Sequence, residues 1–396
     1  MTDRLYYTDS YLTQFEGTVI AVREVGGRTG VVLDRTAFYP SSGGQPFDTG
    51  TLGGATVVDV LDEEDGTVVH ILDGRTPDGC VTCRLDWVRR FEHMQQHTGQ
   101  HLLSAAFERL LGAATVSFHL GSTAATIDLA REVTAPEVAR AESLANDVVW
   151  EDRPVAVRFV DAGDAAALPL RKEPARHGRL RIVEVPEFDL SACGGTHVAR
   201  TGAVGVITVG GVERFRGGTR VEFRCGVRAL RAYRDLRSTV AASTRLMSVA
   251  PEDLPRAVER LQGEQRDLRR RSRDLEERLA GYEAAALAAR AVDAGAARLV
   301  AAALDAADAG SLRIMAQRLA GRAGHAAILV TSAAPVSLVV ARAPDVALDA
   351  AGLLQQITSR FGGRGGGSPE LAQGGGLAGS PDDILAHATG LVRQRA

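Results

Sequence analysis

Hydrophobic and polar positions change period several times along this chain, and each change marks an element. Up to residue 90 the runs LTQFEGTVIAVRE, TGVVLDRTAFY, ATVVDVLDE and GTVVHILD are rich in β-branched residues and broken by Gly and Asp turns. That pattern predicts the short strands of a small barrel or sandwich. From about residue 93 to 111 the period becomes helical, with Leu102, Leu103, Ala106, Phe107, Leu110 and Leu111 on one recurring spacing and Gly112 as the stop. TVSFHL and AATIDL read as strands again. A helix is expected near 135–149, with Thr134 as N-cap and Pro136 in its first turn. RIVEVPEFDL, VGVITVGGVERF and TRVEFRCG then return to strand, so the stretch 91–245 is α+β by pattern.

From about Leu254 the apolar positions follow alternating three- and four-residue steps: Val258, Leu261, Gln265, Leu268, Ser272, Leu275, Leu279 and Tyr282. These are the a and d positions of a coiled coil, and Gln265 and Ser272 weaken its seam. Eight arginines and eight acidic residues share 251–280, which reads as a solvated, salt-bridged face. The segment 246–292 is therefore expected to be a helical linker, serving an intrachain hairpin or a dimer contact. The remainder, 293–396, reads as α/β. HAAILVTSA and VSLVVARA are strands, a helix follows near 347–361, and FGGRGGGSPELAQGGGLAGS is expected to be a glycine-rich loop. Ser380 and Pro381 open a last helix, with Asp382 and Asp383 favourably placed in its first turn.

Composition narrows the class. With 396 residues the chain is long enough for two or three domains, and 45% hydrophobic with 24% charged residues is ordinary for a soluble globular protein. There is no apolar run of about 18 residues and no signal-peptide pattern at the start, so a cytoplasmic protein is expected. The net charge of −3 excludes a uniformly basic nucleic-acid binder. Any RNA contact has to come from local patches. One such patch is Arg171, Lys172, Arg176, Arg179 and Arg181; a second is Arg214, Arg216, Arg220, Arg224, Arg228 and Arg231. Clusters of this kind suit phosphate contacts.

Four cysteines are too few for a disulfide framework in a chain of this size. Cys80 and Cys83 stand at i, i+3 in a predicted strand, where side chains point to opposite faces, so they are not expected to chelate. Cys225 reads as a buried strand residue. The constellation that does carry chemistry is a pair of pairs. His97 and His101, at i, i+4 on the predicted helix, share one face. Cys193-Gly-Gly-Thr-His197 offers a thiolate and an imidazole across a tight glycine turn. Zinc accepts this mixed nitrogen–sulfur set in tetrahedral geometry. His93, one helical turn before His97, is read as a flanking or RNA-facing residue. Thr98 stands where the metalloprotease motif would carry its catalytic glutamate, which disfavours that activity.

These residues resemble a known family. QHTGQHLLSAAF with CGGTHVARTG is similar to the editing domain of alanyl-tRNA synthetases and to the free-standing AlaX-type alanyl-tRNA editing proteins. TAFYPSSGGQPFDTG and LYYTDSYLTQF resemble the N-terminal signatures of that family. GGRGGGSPELAQGGG resembles the glycine-rich end of the DHH-associated domain that closes the long form. The resemblance implies an α+β multidomain fold: an N-terminal β-barrel over 1–90, a zinc-binding editing domain over 91–245, the coiled segment over 246–292, and a C-terminal α/β DHH-associated domain over 293–396. Ala203 departs from the family, which often carries an acid there.

The activity implied is hydrolysis of the ester joining serine or glycine to tRNA for alanine, with zinc on His97, His101, Cys193 and His197. Nothing before Leu5 resembles an ATP-binding synthetase core, so a trans-acting editor is expected. Four protein ligands leave no free tetrahedral position. The ion is then structural, expands its coordination, or exchanges one ligand. By resemblance, Thr36 is the polar group that bonds a serine hydroxyl and so rejects alanine. Gln45 is expected to orient substrate or water, and Thr98 and Gln100 to add hydrogen bonds. Gly374, Gly375 and Gly376 are expected to contact tRNA, and the coiled segment to support a homodimer. The rival reading is a non-catalytic zinc-containing tRNA-binding protein.

Overall fold

Alternation decides the first architecture. In the strand Cys80–Leu85 the residues Val81, Cys83 and Leu85 are buried while Cys80, Thr82 and Arg84 face out. The computed structural model, which describes residues 1–165, 167–171, 179–295, 297–305 and 308–394, closes six such strands into a barrel. They are β1 (Gln14–Val25), β2 (Arg28–Leu33), β3 (Gly50–Leu52), β4 (Ala55–Asp62), β5 (Val68–Asp73) and β6 (Cys80–Leu85), in the order β1-β2-β5-β4-β3-β6 with β6 returning to β1. Register shifts at Val19/Ala21 and Val57/Asp59 supply the local bends that closure requires. Phe15, Leu33, Phe38, Leu52, Val57 and Leu72 fill the interior.

The next helix starts earlier than its hydrophobic period suggests. α1 runs Trp87–Leu111, six residues ahead of the expected start, because the Asp86 carboxylate accepts from the Arg89 N–H (3.2 Å) and caps it. Gly112, at φ 60°, ends it as expected. Every residue from His93 to Phe107 is buried. The missed stretch, residues 87–92, combines an exposed Val88 with a buried Arg90 and so shows no apolar stripe for the period to follow.

Around α1 lie β7 (Thr115–Leu120), β8 (Ala125–Leu129), α2 (Ala135–Trp150), β9 (Ala156–Val160), β10 (Leu180–Val185), β11 (Asp189–Ala192), β12 (Ile207–Phe215), β13 (Gly218–Cys225) and α3 (Gly226–Met247). An antiparallel sheet of order β12-β13-β8-β7 packs its Ile127, Val221 and Phe223 with Leu102, Leu103 and Phe107 of α1 and with Val148 of α2 in one core. A separate sheet, β9-β10-β11, leads into the CGGTH turn. α2 is capped as read: the Thr134 N–H donates to Glu137 Oε2 at 2.7 Å, with Pro136 in the first turn. α3 was not legible in the sequence, since its arginine-rich run buries only Arg228 and Ala229.

The chain divides into two compact units, Met1–Ser243 and Thr244–Ala396. In the second, α4 (Leu254–Ala288) is followed by β14 (Val292–Ala294), β15 (Ala297–Leu304), α5 (Ala309–Ala320), β16 (His325–Thr331), β17 (Val336–Arg342), α6 (Ala350–Phe361), β18 (Arg364–Gly367), β19 (Leu371–Leu377) and α7 (Pro381–Arg393). Their sheet has the order β14-β15-β16-β17-β19-β18, with β15 and β16 parallel. The glycine-rich run is thus an edge hairpin, not the expected loop. Gly374 pairs with Leu338 of β17 on one side and Gly365 of β18 on the other. Glycine has little strand preference, so the pattern gave no hint of it. The fit depends on glycine: a Cβ on Gly365 would lie 2.4 Å from the Gln373 carbonyl. On α4 the buried residues are Ala257, Ala280, Ala284 and Ala288. Leu268, Leu275 and Tyr282 of the heptad seam are 65%, 61% and 70% exposed, so no described residue covers the seam.

Candidate metal centre and cavity

Two glycines let the site assemble. On α1, Gly99 faces Cys225 of β13, whose Sγ would lie 2.2 Å from any Cβ there. In the CGGTH turn, a Cβ on Gly195 would lie 2.1 Å from Cε1 and 2.4 Å from Nδ1 of His97. The turn can therefore press against the helix only where it has no side chain. His97, His101, Cys193 and His197 meet as a result, their potential ligand atoms all within 4.8 Å of one another. The Nε2 atoms of His97 and His197 each lie 3.3 Å from Cys193 Sγ. All three histidines are at least nine-tenths buried.

Each imidazole is turned by a partner on its far nitrogen. His97 Nδ1 donates to Gln45 Oε1 at 2.7 Å, and the same amide oxygen accepts from Thr196 N–H while Gln45 Nε2 donates to Thr196 Oγ1 at 2.9 Å. His101 Nδ1 donates to Asp189 Oδ2 at 2.8 Å. His197 Nδ1 meets Thr98 Oγ1 at 3.1 Å, and Thr98 also accepts from Val198 N–H. With Nδ1 so engaged, the Nε2 side of each ring is left for the Cys193 sulfur or an ion, which is the arrangement metal-ligating histidines adopt. The Asp189 carboxylate is itself fixed by Arg171 Nε (2.6 Å) and the Ser191 hydroxyl (3.0 Å).

The electrostatics favour the ligand forms of Cys193 and His197, whereas His101 holds a proton that a bound cation would have to displace. Burial alone would push the Cys193 thiol up, but three surrounding imidazoles hold it well below its ordinary value. Burial opposes charge on His101 too, yet the Cys193 thiolate and Asp189 raise it to about 9. Burial keeps His197 neutral, at about 3. Three imidazoles and a thiolate are a zinc donor set, and tetrahedral zinc bonds would hold such atoms about 3.3–3.6 Å apart. The two observed nitrogen–sulfur separations fit, so the four residues can hold a metal ion.

The centre opens on a cavity of about 400 Å³ lined by Tyr6, Tyr7, Tyr39, Pro40, Ser42, Gln100, Ser117, Phe118, Phe159 and the arginines 4, 171, 179 and 181, together with His97, His101 and Cys193. Gln100 lines it and donates to Ser104 Oγ at 2.8 Å. Thr36 does not line it. Its hydroxyl is fully buried and lies 2.8 Å from His70 Nε2, and it accepts the Phe38 N–H. Since His70 Nδ1 donates to the Val31 carbonyl, Nε2 is the acceptor and Thr36 the donor. The group expected to meet a serine hydroxyl is instead committed behind the cavity wall.

The two arginine patches are dispersed. Arg171 and Arg179 line the cavity, while Lys172 and Arg176 lie outside the described residues. Arg214 pairs with Glu132, Arg220 with Asp128, and Arg224 with Glu222. Arg228 is buried against Glu92, which also holds Arg231, and Arg216 stacks on Phe215. Exposed pairs such as that of Arg214 open at little cost, but Arg228 is withdrawn from the surface. Gly374, Gly375 and Gly376 sit in β19, in the second unit. His93 is buried and is not part of the ligand cluster, with its Nδ1 lacking a hydrogen-bond partner among the described residues.

Sequence reasoning missed Asp189, Arg171 as its partner and the tyrosine wall, and it named Arg181 only as part of a basic patch. A signal existed for the first: Asp189, Ser191 and Cys193 alternate and so share a strand face.

Family profiles match three parts of the chain: "tRNA synthetases class II (A)" over residues 5–87, "Threonyl and Alanyl tRNA synthetase second additional domain" over 180–222, and "DHHA1 domain" over 296–394. The alanyl-tRNA editing protein AlaX-L of Pyrococcus horikoshii is 36% identical over 66% of this chain and 66% of its own length. Alanine–tRNA ligases of Pyrococcus abyssi and Methanopyrus kandleri are each 32% identical over 94% and 97% of this chain. The chain spans less than half of those ligases, 42% and 43%.

Proposed function

Because the chain belongs to the family of alanyl-tRNA editing proteins related to alanine–tRNA ligases, we propose that it hydrolyses the ester of tRNA for alanine wrongly charged with serine or glycine. The observation that carries this reading is the convergence of three oriented imidazoles and a thiolate on the floor of a cavity. Zinc held there would act as a Lewis acid toward the ester.

The chain's own residues supply the rest. Gln45, Asp189 and Thr98 fix the three rings before substrate arrives, so no reorganisation is needed during reaction. Gln100, Ser42 and Ser117 put polar atoms into the cavity, where a serine hydroxyl finds partners that alanine would leave unpaired. Thr36 acts through the backbone: it holds Phe38 N–H, just ahead of Tyr39 and Pro40 in the wall. A glycine ester leaves the same polar atoms unpaired, so its release would be slower than that of serine. The described residues include no helix long and apolar enough to cross a membrane, in keeping with a partner that is soluble RNA. The exposed seam of α4 supports pairing with a second copy.

The test is deacylation of tRNA for alanine already charged with serine, glycine or alanine, by the purified protein and by Cys193→Ala. Serine and glycine should be released by the parent alone, and alanine spared. Equal rates from both proteins would leave a zinc-bearing RNA-binding protein as the better reading.

A further inference from the structure

The four arginines around the cavity are not equivalent. Arg4 is neutralised by Asp62 at 2.5 and 3.0 Å, and Arg171 by Asp189 at 2.6 Å. Arg179 and Arg181 have no carboxylate within 4.0 Å among the described residues. Arg181 is only 7% exposed, and its guanidinium is held by the carbonyls of Tyr7 (2.9 Å), Cys193 (2.7 Å) and Gly195 (2.9 Å). Its charge is met by carbonyl dipoles and by the nearby Cys193 side chain, with no carboxylate among the described residues to neutralise it. Two rings stand in the same wall. Arg181 lies 5.6 Å from the Tyr7 ring and Arg179 5.0 Å from the Phe159 ring, with the two ring centres 6.5 Å apart. Phe159 and Arg181 face each other across β9 and β10.

We infer that Tyr7, Phe159, Arg179 and Arg181 form a pocket for the terminal nucleoside 5′-phosphate of the charged RNA, separate from the groups that meet the ester. An aminoacyl group alone carries no anion and no flat ring, so it explains neither the two unpaired guanidiniums nor the aromatic pair. A terminal nucleotide carries both. Its base stacks on Phe159 or Tyr7, as bases do on aromatic platforms, and its phosphate takes the guanidinium charge. Arg181 also ties the backbone of the CGGTH turn to Tyr7, so nucleotide and metal ligands share one anchor. The inference rests on reading the cavity as an RNA-deacylation site.

Adenosine 5′-monophosphate, adenosine and inorganic phosphate are the probes, titrated calorimetrically against the zinc-loaded full chain. The monophosphate should bind in the millimolar range or tighter, with adenosine about tenfold weaker and phosphate weaker still. Arg179→Ala should reduce the monophosphate to the affinity of adenosine, and Phe159→Leu should weaken both nucleosides about tenfold. In deacylation, Arg179→Ala should raise KM with little change in kcat. Monophosphate affinity that is absent, or indifferent to Arg179→Ala, overturns the pocket even where deacylation is intact. Nucleotide binding without deacylation supports the pocket while removing the proposed activity.

Discussion

Asp189 Oδ2 lies 2.8 Å from Nδ1 of His101, and the same carboxylate is gripped by Arg171. An acid on a strand thus sets the orientation of a histidine on a helix 88 residues away in sequence, with its own direction fixed by a third side chain. Burial opposes ionisation of Asp189, but His101 and Arg171 hold it down at about 2. The His101 ring is therefore already oriented, and an incoming cation would have to displace its proton.

Replacing Asp189 by Asn keeps the shape but weakens the hydrogen bond to His101. Zinc affinity should fall about 10–100-fold, as read by competition with a chromophoric chelator. An unchanged affinity would show that His101 needs no orienting partner.

The adjacent glycines of the CGGTH turn should respond very differently. A Cβ on Gly195 would overlap the His97 ring, whereas on Gly194 its nearest neighbour is the Tyr7 hydroxyl at 3.5 Å. Gly195→Ala should lose stoichiometric zinc and about 1–3 kcal/mol of stability. Gly194→Ala should stay within about 0.5 kcal/mol. Metal analysis with urea unfolding measures both, and equal behaviour would refute the close approach.

Gly99 poses the same question inside α1. Alanine would favour the helix by about 1 kcal/mol, but its Cβ meets Cys225 Sγ. Gly99→Ala should therefore destabilise, and Cys225→Ala should relieve that cost in the double variant. The coupling should reach about 0.5–3 kcal/mol in a double-mutant cycle. Additive effects would contradict the packing.

Acid should weaken the barrel through His70. Burial lowers its pKa to about 4, against the Val31 hydrogen bond, which raises it. Between pH 6.5 and 4 the unfolded chain then binds a proton that the folded chain refuses, so stability falls as pH falls through that window. The loss at pH 5 relative to pH 8 should be about 2 kcal/mol. Buried His93 and His197, both at about 3, act in the same sense. The measurable quantity is thus the difference between parent and His70→Gln in urea unfolding. Parallel pH profiles would rule out a contribution from His70.

Much of this arrangement was legible because it is encoded locally. The alternation of Val81, Cys83 and Leu85 gives a strand and correctly separates Cys80 from Cys83. The spacing of His97 and His101 gives a shared helix face, and the CGGTH glycines a tight turn. What escaped was set by tertiary partners. The first six residues of α1 combine an exposed Val88 with a buried Arg90, so no amphipathic stripe announced them. The glycine-rich hairpin of β18 and β19 has composition without pattern. Thr36 was read as facing substrate, yet its direction depends on His70, 34 residues away. Arg228 and Arg220 looked like a basic surface because their acids, Glu92 and Asp128, lie 136 and 92 residues earlier in the chain.

The spread of the ligands along the chain bears on how the protein is made. His97 and Cys193 are separated by 96 positions, so a nascent chain emerging from the ribosome shows two imidazoles long before it shows the thiolate. Until residue 197 is out, an ion would meet only part of the ligand set. A metal held by all four side chains would therefore be captured only after the turn has been made.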